Sequence, residues 1–157
     1  MWVLKGQPAV VHTQRARRRK MIVYGGYSPQ NLHLSVEEVS EESSEVTASF
    51  LISLRAQLPH RRLDIVLDNA PWHYGKDVRR IARRYKLHLH FLPPYSPDLN
   101  AIEPLWHWAR SEKTYNYECP SFPVKRHTLL FFFDSVRSRT DELKRRLVPT
   151  FRSSSGG

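Results

Sequence analysis

The chain has 157 residues and a mass of 18.5 kDa, one domain's worth of sequence, and 25 Lys and Arg against 15 Asp and Glu give it a formal net charge of +10. Its 40% hydrophobic content and four Trp suffice for a packed core, which excludes wholesale disorder. No apolar run approaches the roughly 20 residues that span a bilayer, the N-terminus lacks a signal peptide's apolar stretch, and the lone Cys119 cannot close a disulfide within the chain, so a reducing, cytoplasmic setting and a polyanionic partner are expected.

The charge is unevenly spread. Residues 1–36 hold no Asp or Glu but six basic residues, Lys5, Arg15, Arg17, Arg18, Arg19 and Lys20; five Glu then follow between positions 37 and 45. The Arg15–Lys20 cluster reads either as a phosphate-contacting patch or as a solvated basic turn.

In chain order, Met21-Ile22-Val23-Tyr24 reads as a buried strand closed by a turn at Gly25-Gly26. Leu32–Val36 alternates as a half-buried strand, and the Ser28–Asn31 link makes the two a hairpin. Ser43 or Ser44 caps a helix to about Gln57, with Val46, Phe50, Leu54 and Leu58 on one face and Pro59 beyond its end. Leu63–Leu67 reads as a strand ending at Asp68-Asn69-Ala70-Pro71, and Lys76–Lys86 as a basic helix with Val78, Ile81, Ala82 and Tyr85 inward. Leu87–Leu92 is another strand, with His88 and His90 on its polar face. Pro93–Asp98 is a rigid loop, and Asn100 opens a helix through about Glu112 that carries Trp106 and Trp108, with Trp108 on a different face from Trp106. Strands alternating with helices in this half argue for parallel strands in a mixed sheet. Beyond Thr114 come an apolar cluster at Leu129–Phe133, a helix-like stretch from Asp134 to Leu147, and a small polar tail from Ser153 to Gly157, expected to be disordered.

Two carboxylates stand out. Asp68 lies at the C-terminal end of a strand, where ligand and catalytic groups collect in α/β sheets, and Glu103 lies in the first turn of the helix after the next strand, with 34 residues between them. If the two strands are neighbours, both acids reach one edge of the sheet, and paired hard oxygen ligands suit Mg²⁺ and phosphoryl chemistry. Taken singly, each has a plainer reading: Asp68-Asn69 as a turn after a strand, and Asn100-x-x-Glu103 as a helix-capping box.

The wider string is more specific. Leu67-Asp68-Asn69-Ala70-Pro71-Trp72-His73, then Pro93-Pro94-Tyr95-Ser96-Pro97-Asp98-Leu99-Asn100-Ala101-Ile102-Glu103-Pro104-Leu105-Trp106, resembles the DDE transposases of the insertion-sequence branch of the mariner superfamily. Both motifs and their interval are present, and a weaker likeness runs from Trp2-x-x-x-Gly6 through the hairpin, so the resemblance covers about residues 2–113. It implies a ribonuclease-H-like α/β fold, a mixed sheet flanked by helices, and Mg²⁺- or Mn²⁺-dependent cleavage at transposon ends, with two ions in the complete enzyme and transfer of the 3′ hydroxyl to target DNA. Asp68 and Glu103 become the second and third catalytic acids and metal ligands, with Asn69, His73 and Asn100 supporting the site. His73 has a second reading, as a cap for the following helix. Arg17, Arg18, Arg19, Lys76, Arg79, Arg80 and Arg83 become DNA-binding residues, though a solvated helix face explains the last four equally well.

The chain departs from the family pattern at its start. The family's first Asp lies upstream of the Trp-x-x-Lys-Gly segment, and here no acid precedes Glu37. The expectation is therefore a catalytic domain over residues 1–113 without its first, central strand and first acid, a helical extension over 114–152, and inactivity as an isolated nuclease. An interrupted gene or the downstream half of a frameshifted one accounts for this, with DNA, a second copy and an upstream transposase half as partners and the nucleoid as the location in a prokaryote. Two other readings compete: a basic nucleic-acid-binding module whose carboxylates are structural, and a stand-alone ribonuclease-H-like nuclease.

Overall fold

A computed structural model describes residues 2–5, 21–113 and 121–147; for residues 2–5 it describes the backbone path and pairing. The basic cluster Arg17-Arg18-Arg19, Cys119 and the tail from Ser153 lie outside the described residues. The strands are β1 (Trp2–Lys5), β2 (Ile22–Ser28), β3 (His33–Val39), β4 (Leu63–Leu67) and β5 (Leu87–Phe91). The helices are α1 (Ser44–Gln57), α2 (Lys76–Arg84), α3 (Glu103–Lys113), α4 (Phe122–Arg137) and α5 (Thr140–Arg146).

The strands form one sheet in the order β3-β2-β1-β4-β5. β1, β2 and β3 pair antiparallel, and β1, β4 and β5 pair parallel. The mixed sheet expected from the alternation of strands and helices is thus present. Its central place, expected to be empty, is filled: Trp2–Lys5 lie between β2 and β4, with Leu4 opposite both Gly26 and Leu67. The backbone of four residues is enough to pair both neighbours, which would otherwise be left with unpaired ladder groups.

Helices cover both faces of the sheet. On one, Ile22 and Tyr24 of β2, Leu63, Ile65 and Leu67 of β4 and Leu87 of β5 meet Phe50, Leu51 and Leu54 of α1 and Val78 and Ile81 of α2. Ser43 caps α1 by accepting from the Val46 amide, as its position in the sequence anticipates. On the other face, Val23 and Tyr27 of β2 and Leu34 and Val36 of β3 meet Ile102 and Trp106 beside and on α3, Phe132 and Phe133 of α4 and Leu143 of α5. The apolar run at Leu129–Phe133 is thus interior to α4, which begins at Phe122, and Ser138 and Arg139 separate it from α5. Trp108, expected on a different face from Trp106, belongs to the same core and stands edge-on to Phe132, with the Arg146 guanidinium over its ring.

The anticipated turn at Gly25-Gly26 does not form; β2 runs straight through both residues to Ser28. The reason is tertiary. A Cβ on Gly25 would lie 2.7 Å from both Ile102 Cδ1 and Trp106 Cη2, so the bare backbone here is a seat for the indole that pins α3 to the sheet. Gly25→Ala should therefore lower unfolding stability by about 1–3 kcal/mol through overpacking. Urea denaturation checks this, and an unchanged midpoint would show that Trp106 shifts freely.

Candidate active site

β4 and β5 run parallel, so their C-terminal ends come out at the same edge of the sheet. Asp68 follows β4 directly, and the chain beyond β5 leads through Pro93–Asn100 to Glu103, the first residue of α3. The two acids line one open cleft of about 400 Å³, together with Asn69, Tyr95 and Asn100. Both are half-buried.

Asp68 is held by its own loop. Its Oδ1 accepts from the Ala70 amide at 3.1 Å, the turn geometry that Asp favours after a strand. His73, in the 3₁₀ turn Pro71–Tyr74, is fully buried and sets Nδ1 3.1 Å from Asp68 Oδ1 and 3.2 Å from the Asp68 carbonyl. Two oxygen acceptors at Nδ1 require the proton there. Nε2 is buried with no partner among the described residues. His73 therefore donates from Nδ1 and fixes the Asp68 loop. It is not the cap of α2, which Gly75 precedes.

Asn69 joins the ends of the two strands. Its amide donates to the Leu92 carbonyl just past β5, and its carbonyl accepts from the Tyr74 hydroxyl. Leu92 in turn donates its own amide to the Leu67 carbonyl at 2.8 Å. Asn100 is buried, and its Oδ1 accepts from the Ile102 amide at 3.4 Å while its carbonyl accepts from the Glu103 amide at 3.0 Å. The expected helix opening at Asn100 is corrected by this arrangement: Pro97–Leu99 is a 3₁₀ turn that Asn100 ends, and α3 starts three residues later. Asn100 thus stabilises the bend before Glu103. Tyr74 and Tyr95 escaped the sequence reading as site residues. Tyr95 is fully exposed at the cleft in the left-handed region (φ 55°), a conformation that strains a non-glycine residue and recurs at functional sites.

The cations are arranged differently from the acids. Lys76, Arg79, Arg80 and Arg83 are all exposed on α2, and Arg80 is partly neutralised by Asp77 at 3.0 Å. On β5, His90 faces Asp64 of β4 at 3.0 Å, and with Arg62 it holds that carboxyl below the usual range. The alternating histidines are thus a strand face, as expected.

A two-carboxylate cleft suits one hard divalent ion that keeps water and shares phosphate oxygens. No group of three or more His, Cys, Asp or Glu able to hold a metal occurs among the described residues. The central strand supplies none: Lys5 lies one residue beyond Leu4, as Asp68 lies one beyond Leu67, and Trp2–Lys5 contain no acid. Replacing His73 with Leu removes the donor to Asp68 and should lower stability by about 2 kcal/mol, with the ¹³C carboxyl resonance of Asp68 shifted. A resonance that stayed in place would show that His73 does not organise the loop.

Comparison with known proteins agrees with this architecture. The family model described as DDE superfamily endonuclease matches residues 1–122. No curated protein matches the chain. Among solved structures, the catalytic domain of Mos1 mariner transposase is similar at 16% identity and a TM-score of 0.60, over 92% of this chain and 78% of that one. The same domain solved with raltegravir and Mg gives a TM-score of 0.61 at 16% identity, over 92% and 79%. A chain of the simian T-cell lymphotropic virus intasome, in complex with the PP2A regulatory subunit B56 gamma, gives 0.58 at 15% identity, and this chain spans 81% of its own length and 46% of that one. These likenesses support the ribonuclease-H-like fold. With the match over residues 1–122, the chain belongs to the DDE superfamily endonuclease family.

Proposed function

We propose that this chain is the DNA-holding part of a transposase-type catalytic domain, which binds a divalent cation between Asp68 and Glu103 and does not cleave DNA by itself. The observation that carries this is the meeting of Asp68 and Glu103 in one cleft, from two elements with 34 residues between the acids in sequence. Membership of the DDE endonuclease family supplies the reaction class, and the Mg- and Mn-containing structures of the Mos1 domain supply the class of ion. When bound, such an ion neutralises charge on a phosphodiester and activates the attacking oxygen.

The residues of the chain have separate tasks. Asp68, clamped by Ala70 and His73, and Glu103, set by the Asn100 bend, present carboxylate oxygens to the cleft. Lys76, Arg79 and Arg83 on α2 hold backbone phosphates, a role in which their charge offsets the repulsion between the acids and the DNA. Arg17, Arg18 and Arg19 add to the same attraction. Asn69 keeps the ends of β4 and β5 together, so that the acids do not separate.

The second part of the proposal, no cleavage by the chain alone, is favoured by one specific observation: the strand at the centre of the sheet offers Trp, Val, Leu and Lys where a third carboxylate is needed for a two-ion site. A two-ion site needs that acid from a segment other than Trp2–Lys5. This divides the site's work into binding, which the chain retains, and cleavage, which it lacks.

The test uses the purified 157-residue chain. Mn²⁺ should broaden the Asp68 and Glu103 carboxyl resonances, Asp68→Asn should reduce Mn²⁺ affinity about tenfold or more, and supercoiled DNA should stay intact with Mg²⁺. Mn²⁺ binding unaffected by Asp68→Asn together with Glu103→Gln would return the chain to a plain nucleic-acid-binding module. Nicking that the Asp68→Asn variant abolished would overturn the proposed lack of cleavage.

A further inference from the structure

A second surface lies next to the cleft. β5 is an outer strand of the sheet, and along the face it turns toward α2 runs a groove of about 440 Å³. Its floor is Ala82 and Leu89, its rim is Arg79 and Arg83, and its end is Tyr74 and Phe91. Tyr74 and Phe91 are stacked, with ring centroids 4.3 Å apart and planes 15° from parallel. They are 43% and 38% exposed, unusual for two large aromatics in mutual contact at a surface. Arg79 and Arg83 are exposed one helical turn apart, and no carboxylate lines the groove.

Parallel rings beside unopposed guanidinium groups match single-stranded nucleic acid. Every base has a face that stacks on an aromatic ring, and the phosphates on either side of it are drawn to the arginines. A paired base hides its faces within the duplex and cannot use such a platform. The charge also argues against an added peptide strand on this edge, since the flanking Arg79 and Arg83 offer a neutral main chain little and a phosphate chain much.

The platform is connected to the acids. The Tyr74 hydroxyl is fixed on Asn69, the residue after Asp68, and Asn69 also binds the Leu92 carbonyl, the residue after Phe91. Both rings are thereby held in register with the ends of β4 and β5. We propose that this groove takes an unpaired nucleotide of a DNA strand, its base stacked on the Tyr74–Phe91 pair and its phosphates on Arg79 and Arg83. This deepens the reading that DNA lies across Asp68 and Glu103, because it makes a single-stranded or frayed segment beside the cleft the preferred ligand.

Fluorescence anisotropy with three probes tests it: a blunt duplex, the same duplex with a short single-stranded extension, and the single strand alone. The extended duplex should bind about tenfold tighter than the blunt one, a factor within the range that one stacked base supplies. Phe91→Ala should remove that advantage and leave blunt binding unchanged, and Phe91→Tyr should restore it. Arg79→Gln with Arg83→Gln should weaken all three and reduce the salt dependence by about one to two counterions. In case Phe91→Ala disturbs folding, an extension carrying 5-iodouracil should photocrosslink to the peptide holding Tyr74 or Phe91 in the unaltered chain. Equal affinity for blunt and extended duplex, with crosslinks elsewhere, overturns the proposal, as does an effect of Phe91→Ala on self-association alone. Binding of the single strand without the blunt duplex, sensitive to Phe91→Ala, upholds the groove and sinks the reading of duplex DNA across the acids. Absence of binding to all three probes overturns both.

Discussion

The parallel pairing of β4 with β5, and the hydrogen bonds that close its end, hold the site together. Strand pairing brings Leu67 beside Phe91, but pairing alone leaves two loops free to part beyond it. Three bonds prevent that: the Leu92 amide to the Leu67 carbonyl, Asn69 to the Leu92 carbonyl, and Tyr74 to Asn69. A further set, the Ala70 amide and His73 to Asp68, closes the first loop on itself. A site built from loops on a rigid scaffold needs such support to hold its groups in place. Without it the 34-residue interval would be only a spacing.

The same economy appears in how α3 is held. Glu103 begins that helix, so its position is set by whatever anchors α3 to the sheet. The anchor is Trp106, fully buried over Gly25 and edge-on to Phe133 of α4. An absent side chain on β2 thus determines where a carboxylate stands at the other end of the helix turn. The C-terminal helices take part as well, since Phe132, Phe133 and Leu143 complete the core against which Trp106 and Trp108 pack. The order of effect runs from a glycine, through an indole, to the acid in the cleft.

Charge is divided by element. The two cleft acids sit at the edge where β4 ends and α3 begins, and a cluster of exposed cations, Lys76, Arg79, Arg80 and Arg83 among them, sits on α2. Their separation is what a polyanion bridging both requires, because cations packed directly among the acids would neutralise them and leave nothing for a metal ion. The net charge of +10 favours a polyanionic partner over a neutral one. Arg79 and Arg83 stand beside a groove ended by stacked aromatics, which is what the proposed single-stranded ligand rests on.

Much of this was legible in the sequence because it is local. The α1 cap at Ser43, the inward face of α2 and the strands β4 and β5 follow from caps and periodicity, which act over a few residues. The motifs around Asp68 and Glu103 carried the family. What only the tertiary structure decided depends on partners far along the chain. Gly25-Gly26 reads as a turn until Trp106 is placed over it. Trp2–Lys5 carries no signal for the centre of a sheet until β2 and β4 flank it. His73 chooses between a cap and a clamp only when burial removes water from its ring, and Tyr74 becomes part of a platform only through Phe91, seventeen positions on. Local free energies set the elements, whereas the contacts that turn elements into a site exist only once the chain has closed on itself.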